Sequence, residues 1–152
     1  MTIERNTKGK GLESLTGFIG ELVAGKALVG VTKDTNARPD GGSNALIGMV
    51  HEFGSPSNNI PERSHLRAAL AENNDKYAKI IAGDIPKAIQ GGLSVYDAYS
   101  RLGTMAANDV KLKITQGSFT PLKEKTIERK GSSKPLIDDG HYRNSITYTV
   151  EN

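Results

Sequence analysis

The sequence predicts a single α+β domain: a small, mostly antiparallel sheet with several helices packed against it. Three observations predict it. Segments of alternating apolar and polar residues stand near the two ends, at "KALVGV" and "ITYTV". The stretch between them carries apolar residues at helical spacing. No long polar linker divides the 152 residues, a length sufficient for one core.

In chain order, Leu12, Leu15, Ile19 and Leu22 recur at helical spacing within a first segment from about Ile3 to Leu22, interrupted by Gly11, Gly17 and Gly20. A weak helix is expected there. After Gly25, Ala27, Val29 and Val31 alternate with Leu28, Gly30 and Thr32, which reads as a strand. "TNARPDGGSN" follows, and its Pro39, Asp40, Gly41 and Gly42 predict an exposed, mobile loop over about 33 to 44. Asn44 is the expected cap of a short helix carrying Leu46, Ile47, Val50 and Phe53, with Gly54 placed to stop it.

Beyond a turn from Ser55 to Asn59, Pro61 is expected to open a helix with Leu66, Leu70, Tyr77, Ile80 and Ile81 on one stripe, kinked or broken at Gly83 and Pro86. Ser94 and Asp97 resemble a capping box, ahead of an apolar face of Val95, Tyr99, Leu102, Ala106 and Val110. Thr120 as cap, Pro121 at the first position and Gly131 as stop define a short charged helix. Asp138 and Asp139 read as capping residues in a turn at Gly140. Ile146, Tyr148 and Val150 then form a half-buried strand whose natural partner is the strand around Val29.

Composition narrows the function. With no cysteine, the chain holds no disulfide framework, thiolate metal site or thiol nucleophile. No apolar run reaches the roughly 20 residues of a membrane span, and "MTIERNTKGKGLESL" lacks a signal peptide's apolar core, so no membrane association and a cytoplasmic, soluble protein are expected. Twenty basic residues against seventeen acidic ones leave a formal charge of only +3. Lys123, Lys125, Arg129 and Lys130 are interleaved with Glu124 and Glu128 at helical spacing, which fits a solvated face better than a DNA-reading surface. Nonspecific, salt-sensitive contact with a phosphate backbone stays open.

Three catalytic patterns are incomplete in this sequence. His51-Glu52 is followed by Phe53, Gly54 and Ser55, so the HExxH zinc spacing is absent, and His65 lies beyond a proline-containing loop. Asp138, Asp139 and His141 have no serine in a GxSxG context. "RPDGGSNA" lacks the GxxxxGK[ST] phosphate-loop pattern. No enzyme activity, cofactor or metal is expected. The aromatic-poor core and the glycine-bearing loops suggest instead that part of the order comes from neighbouring subunits.

Two segments resemble a known family. "ALIGMVHEFGSPSNNIPERSHLRAAL" is similar to the "HEFG … IP-x-R-x-x-LR" block of tailed-bacteriophage neck and tail-completion proteins, the head-tail joining and virion-morphogenesis group. "FTPLKEKTIERKGSSKPLIDDGHYRNSITYTV" resembles that family's second block, in the right order, with a departure at Asp139-Gly140-His141-Tyr142, where Thr-Gly is frequent.

The resemblance implies a structural protein of the virion neck, assembled in the host cytoplasm and forming a ring of copies around the DNA channel. Its partners would be other copies of itself, the head connector or adaptor, and tail-terminator or tail-tube proteins, with packaged double-stranded DNA passing nearby. A tail-terminator ring protein is the nearest alternative; a small DNA-binding regulator or a hydrolase is more distant. Candidate subunit-interface residues are Asp40, Gly41, Gly42, Ser43, Glu52, Arg63, Arg67, Arg129 and Lys130, with Arg63 or Arg67 expected to pair with Glu52 or with a neighbour. His51, Phe53, Gly54, Pro61, Leu66, Pro135, Leu136, Asp138 and Gly140 are candidate structural positions. Phe53 is expected to anchor the fold.

Overall fold

A computed structural model describes residues 8–151. The order is α1 (Lys8–Ala24), β1 (Lys26–Val31), α2 (Asn44–Phe53), α3 (Leu66–Glu72), α4 (Asn74–Ile89), α5 (Val95–Gln116), α6 (Glu124–Lys130), α7 (His141–Ser145) and β2 (Ile146–Glu151). This is the expected α+β arrangement. The expected start of the first helix at Ile3 lies outside the described residues.

β1 and β2 pair antiparallel with Val29 opposite Tyr148 and Val31 opposite Ile146, so the two ends of the chain build the sheet. α5 lies across both strands. Ser94 caps it in the expected way: its hydroxyl accepts the Asp97 N–H (3.0 Å) and donates to the Asp97 carboxylate (2.7 Å). The core is Ala107, Val110 and Ile114 of α5 with Ala69 of α3, Leu136, Tyr142 of α7 and Ile146 of β2. Val110 and Ile146 are fully buried, worth about 2 kcal/mol each in apolar transfer. α5 fits tightly because Gly103 has no side chain: a Cβ there would meet the Tyr148 ring, 2.6 Å from its Cγ. α1 docks through its last turn, where the Tyr99 hydroxyl donates to the Leu22 carbonyl (2.7 Å); Ile19, expected on the apolar stripe, is exposed.

Several boundaries differ from expectation. Ser43, not Asn44, caps α2, accepting the Leu46 N–H; Asn44 is buried and its amide donates to the Thr35 carbonyl. Pro61 does not open a helix, and α3 starts only at Leu66. Residues 61–65 run alongside the end of α2, where the Arg63 N–H donates to the His51 carbonyl (2.7 Å). The break expected near Gly83 and Pro86 falls instead at Asn73, whose side chain bonds back to the Ala69 carbonyl. α4 continues through Gly83 and Pro86 to Ile89; Pro86 lacks an N–H and its ring crowds the carbonyl of Ala82, yet the helix ends only one turn later. Thr120 and Pro121 lie outside α6, which begins at Glu124 after Lys123; Gly131 ends it as expected, in the left-handed conformation. α7 was not foreseen as a helix.

Residues 33–44 are also not the free loop expected. Backbone bonds link Arg38 with Gly42 and Asn36 with Asn44, and the Arg38 side chain, 8% exposed, bonds Asp40, Asn44 and Asp139. Asp40, Gly41 and Gly42 form its exposed tip.

Candidate functional site

The centre of the molecule's polar chemistry is the corner between α2 and α3. Gly54 turns the chain at φ 74°, a conformation costly for any other residue, and a Cβ there would stand 2.8 Å from the Glu62 nitrogen. The Asn59 turn then brings residues 63–67 back beneath the end of α2. Glu52, 6% exposed, receives the returning chain. Its carboxylate accepts the Ser64 hydroxyl (2.7 Å), the backbone N–H groups of His65 (2.9 Å), Leu66 (2.9 Å) and Arg67 (3.1 Å), and the Arg67 Nε–H (2.9 Å).

Glu52 is thus the cap of α3, supplied from another helix. The first N–H groups of a helix lack intrahelical partners, and a carboxylate satisfies both them and the helix dipole. Burial alone raises the pKa of this carboxyl, but the bonds from Leu66, Ser64, His65 and Arg67 outweigh it and hold it at about 2. The expected pairing of Glu52 with an arginine is made by Arg67, which also reaches Glu62 (2.8 Å) and lies 4.6 Å above the Phe53 ring. Phe53 itself is 60% exposed, so it does not anchor the fold.

Arg63 points the other way. It is 5% exposed, and its Nε and Nη2 donate to the carbonyls of Thr120 (2.8 Å) and Pro121 (3.3 Å). Those contacts hold 120–121 out of a helix, which is why α6 starts late. His65 is fully buried. Its Nδ1 lies 2.9 Å from the Arg63 carbonyl, which can only accept, so Nδ1 carries the proton and Nε2 accepts from the Tyr142 hydroxyl. Burial lowers the His65 pKa and raises that of Tyr142. His65 lies too deep to face a ligand, and His51 does not join it; among the described residues no three His, Asp or Glu side chains form a metal-binding group.

A groove of about 730 Å³ opens on the far side of this corner, between α2, residues 58–63 and the 120–140 segment. His51, Arg63, Pro61, Lys130, Arg129 and Asp138 stand on its walls, with Pro135, Leu136 and Gly140 also lining it. Leu136 is buried as a core residue, and Leu66 packs against the same core. Asp139 accepts the His141 N–H (2.8 Å) beside Gly140, as the capping assignment expected, and holds Arg38. Asp138 is exposed and takes no such part. Of the interface candidates, Glu52, Arg63 and Arg67 form the corner, Arg129 and Lys130 face the groove, and Asp40 to Ser43 lie at the loop that Arg38 ties to Asp139.

On the opposite flank of α2, Leu46, Met49 and Phe53 are each more than half exposed, at i, i+3 and i+7. They form an apolar stripe beside a recess of about 250 Å³ lined by Met49, Phe53, Val31 and Leu66. Sequence reasoning placed Leu46 and Phe53 on the helix's apolar face, did not single out Met49, and missed Arg38, His65 and Tyr142 as polar organisers; no local pattern marks any of the three. Compared with protein-family models, characterised proteins and solved structures, the chain matches none.

Proposed function

We propose that the protein is a structural virion protein of a tailed phage, joining the head connector to the tail as one member of a ring around the DNA channel. The observation that carries this reading is that the two sequence blocks of the resemblance close on each other as one unit. Arg63 of the first block binds the Thr120 and Pro121 carbonyls of the second, and His65 of the first meets Tyr142 of the second. Two stretches separated by nearly 50 residues therefore form one rigid corner, which is a physical reason for them to occur together.

The flanks of α2 support the same reading. Head-to-tail closure of a ring needs two different patches on each subunit. α2 separates two such surfaces, the groove on the side of Ile47 and His51 and the apolar stripe on the side of Met49 and Phe53. An exposed apolar stripe on a rigid helix fits a contact with another protein surface.

The test is electron microscopy of particles made when the gene is inactivated in its phage or prophage. DNA-filled heads beside separate tails of normal length are expected. Overlong tails would point to a tail terminator instead, and intact joined particles would overturn the proposal.

A further inference from the structure

We propose that the groove between α2 and the 120–140 segment binds a carboxylate-bearing peptide segment of a partner protein. This inference rests on the joining reading only in taking a protein as the source; the chemistry of the groove stands without it.

The argument starts from Arg63. A cation that is 5% exposed needs a counter-charge, since moving an ion out of water costs several kcal/mol unless it is paired. Arg63 has two carbonyls and, among the described residues, no ion pair. Lys130, half-buried on the same wall, is in the same position: its ammonium donates to the carbonyls of Lys134 (2.7 Å) and Pro135 (3.3 Å). Burial lowers the pKa of both; it also lowers that of His51, followed by the charges of Arg63, His65 and Lys130. The three groups therefore share one electrostatic neighbourhood. The half-buried His51 ring stands on the same wall, and its Nδ1 makes no hydrogen bond within the protein.

The groove's own acids do not meet this need. Asp139 is committed to Arg38 and the His141 N–H; it and the exposed Asp138 act on Lys130 through their charges, but among the described residues neither forms an ion pair with Lys130 or Arg63. Lys123 and Arg129 add further positive charge at the walls.

The size and the apolar lining identify the class of ligand. A volume of about 730 Å³ far exceeds one small anion, and Ile47, Ile60, Leu122 and Leu136 offer apolar surface to the body of a chain. A DNA backbone presents its phosphates on a stiff outer surface and has no means of reaching a guanidinium this deeply placed. An Asp or Glu side chain on an extended peptide is slender enough to approach the guanidinium N–H groups that Thr120 and Pro121 leave free, and a carboxylate suits them.

The experiment is an NMR titration of the full-length, ¹⁵N-labelled protein with the blocked peptide acetyl-leucyl-prolyl-glutamyl-leucinamide. Its glutaminyl counterpart, inorganic phosphate and a short DNA duplex are titrated alongside. Saturable shifts of the Arg63 Nε–H and the His51 ring are expected with the glutamyl peptide and not with the glutaminyl one. Lys130→Gln, a substitution at a half-buried position, is expected to weaken binding about tenfold, the loss of one charge-assisted bond, in a protein whose ¹⁵N spectrum otherwise keeps its folded dispersion. Absent shifts, or equal shifts with the two peptides, overturn the proposal. Tighter saturation of the same resonances by phosphate or duplex also overturns it, in favour of a phosphate ligand. Peptide binding by a protein whose loss leaves particles joined would end the joining reading and keep this one; separated heads and tails without peptide binding would do the reverse.

Discussion

Replacing Glu52 with glutamine tests the corner directly. The carboxyl sits at about 2 in the folded protein against 4.5 when free, and at about 1.4 kcal/mol per pH unit the ionised form stabilises the fold by about 3 kcal/mol. Glutamine keeps the shape and one acceptor oxygen, but turns an NH2 toward the N–H donors of the first turn of α3, so Glu52→Gln should lose about that amount at neutral pH. The sign with pH is fixed. A depressed folded pKa contributes stability that is present above 4.5 and lost as pH falls from there toward 2. The gap between wild type and variant should therefore narrow from about 3 kcal/mol at pH 7 to about 1.5 kcal/mol at pH 3. Urea unfolding followed by far-ultraviolet circular dichroism measures both. A gap below about 1 kcal/mol at pH 7, or one that is the same at pH 3, refutes the assignment of Glu52 as the cap of α3.

Other expected outcomes need shorter statement. Gly103→Ala places a methyl group against the Tyr148 ring and should cost about 1–3 kcal/mol in a thermal melt, whereas Gly83→Ala, where a Cβ meets nothing within 4 Å, should be neutral or stabilise α4 by up to about 1 kcal/mol. If both changes act alike, the close fit of α5 on the sheet is not what the Gly103 change measures. Burial, with the Arg63 charge adding to it, holds His51 near 4 rather than 6.5, so its contribution to stability is complete above 6.5 and is lost as pH falls toward 4. His51→Gln should flatten the melting profile across that window, and superimposable profiles would show that His51 is not the titrating group. Leu46→Ser with Met49→Ser alters side chains that are more than half exposed, so stability should change by less than about 0.5 kcal/mol per site while particle joining fails. Joined particles from that double variant would remove the stripe from the proposed interface.

What was legible in the sequence is what local chemistry decides. The pairing of β1 with β2 follows from alternation at Val29, Val31, Ile146 and Tyr148, and the start of α5 from a serine whose partner is three residues away. Gly54 and Gly131 end helices because the left-handed turn is made by the residue itself. The misplaced boundaries share a different cause. α3 takes its cap from Glu52, fourteen residues before its first residue, and the start of α6 is displaced by Arg63, 57 residues before Thr120. The 33–44 loop is held by a bond between Arg38 and Asp139, 101 residues apart. The partners of the last two lie far outside any local window, and no local pattern marks Glu52 as the cap of a helix that starts fourteen residues later. An arginine partner for Glu52 was legible because Arg63 and Arg67 follow it closely along the chain, but the choice between them was not; nor was Tyr142, which is 77 residues from His65.

Phe53 shows a second reason for error. Periodicity finds a stripe but does not say which way it faces. Leu46, Val50 and Phe53 lie at helical spacing, and so do Asn44, Gly48 and Glu52, the set that the fold buries. A small residue, a capping carboxylate and a side-chain amide win the interior because each meets a specific need there: Gly48 lets the Tyr142 ring approach, Glu52 closes α3, and Asn44 bonds the Thr35 carbonyl. Their burial turns Leu46, Met49 and Phe53 outward. Ile47 still packs against the core, but on a helix of ten residues an exposed apolar stripe of this size is costly to keep unless another surface covers it. The burial of Asn44, Gly48 and Glu52 and the exposure of Leu46, Met49 and Phe53 are therefore one feature of α2, and the partner proposed for the stripe is the counterpart of the contacts made beneath it.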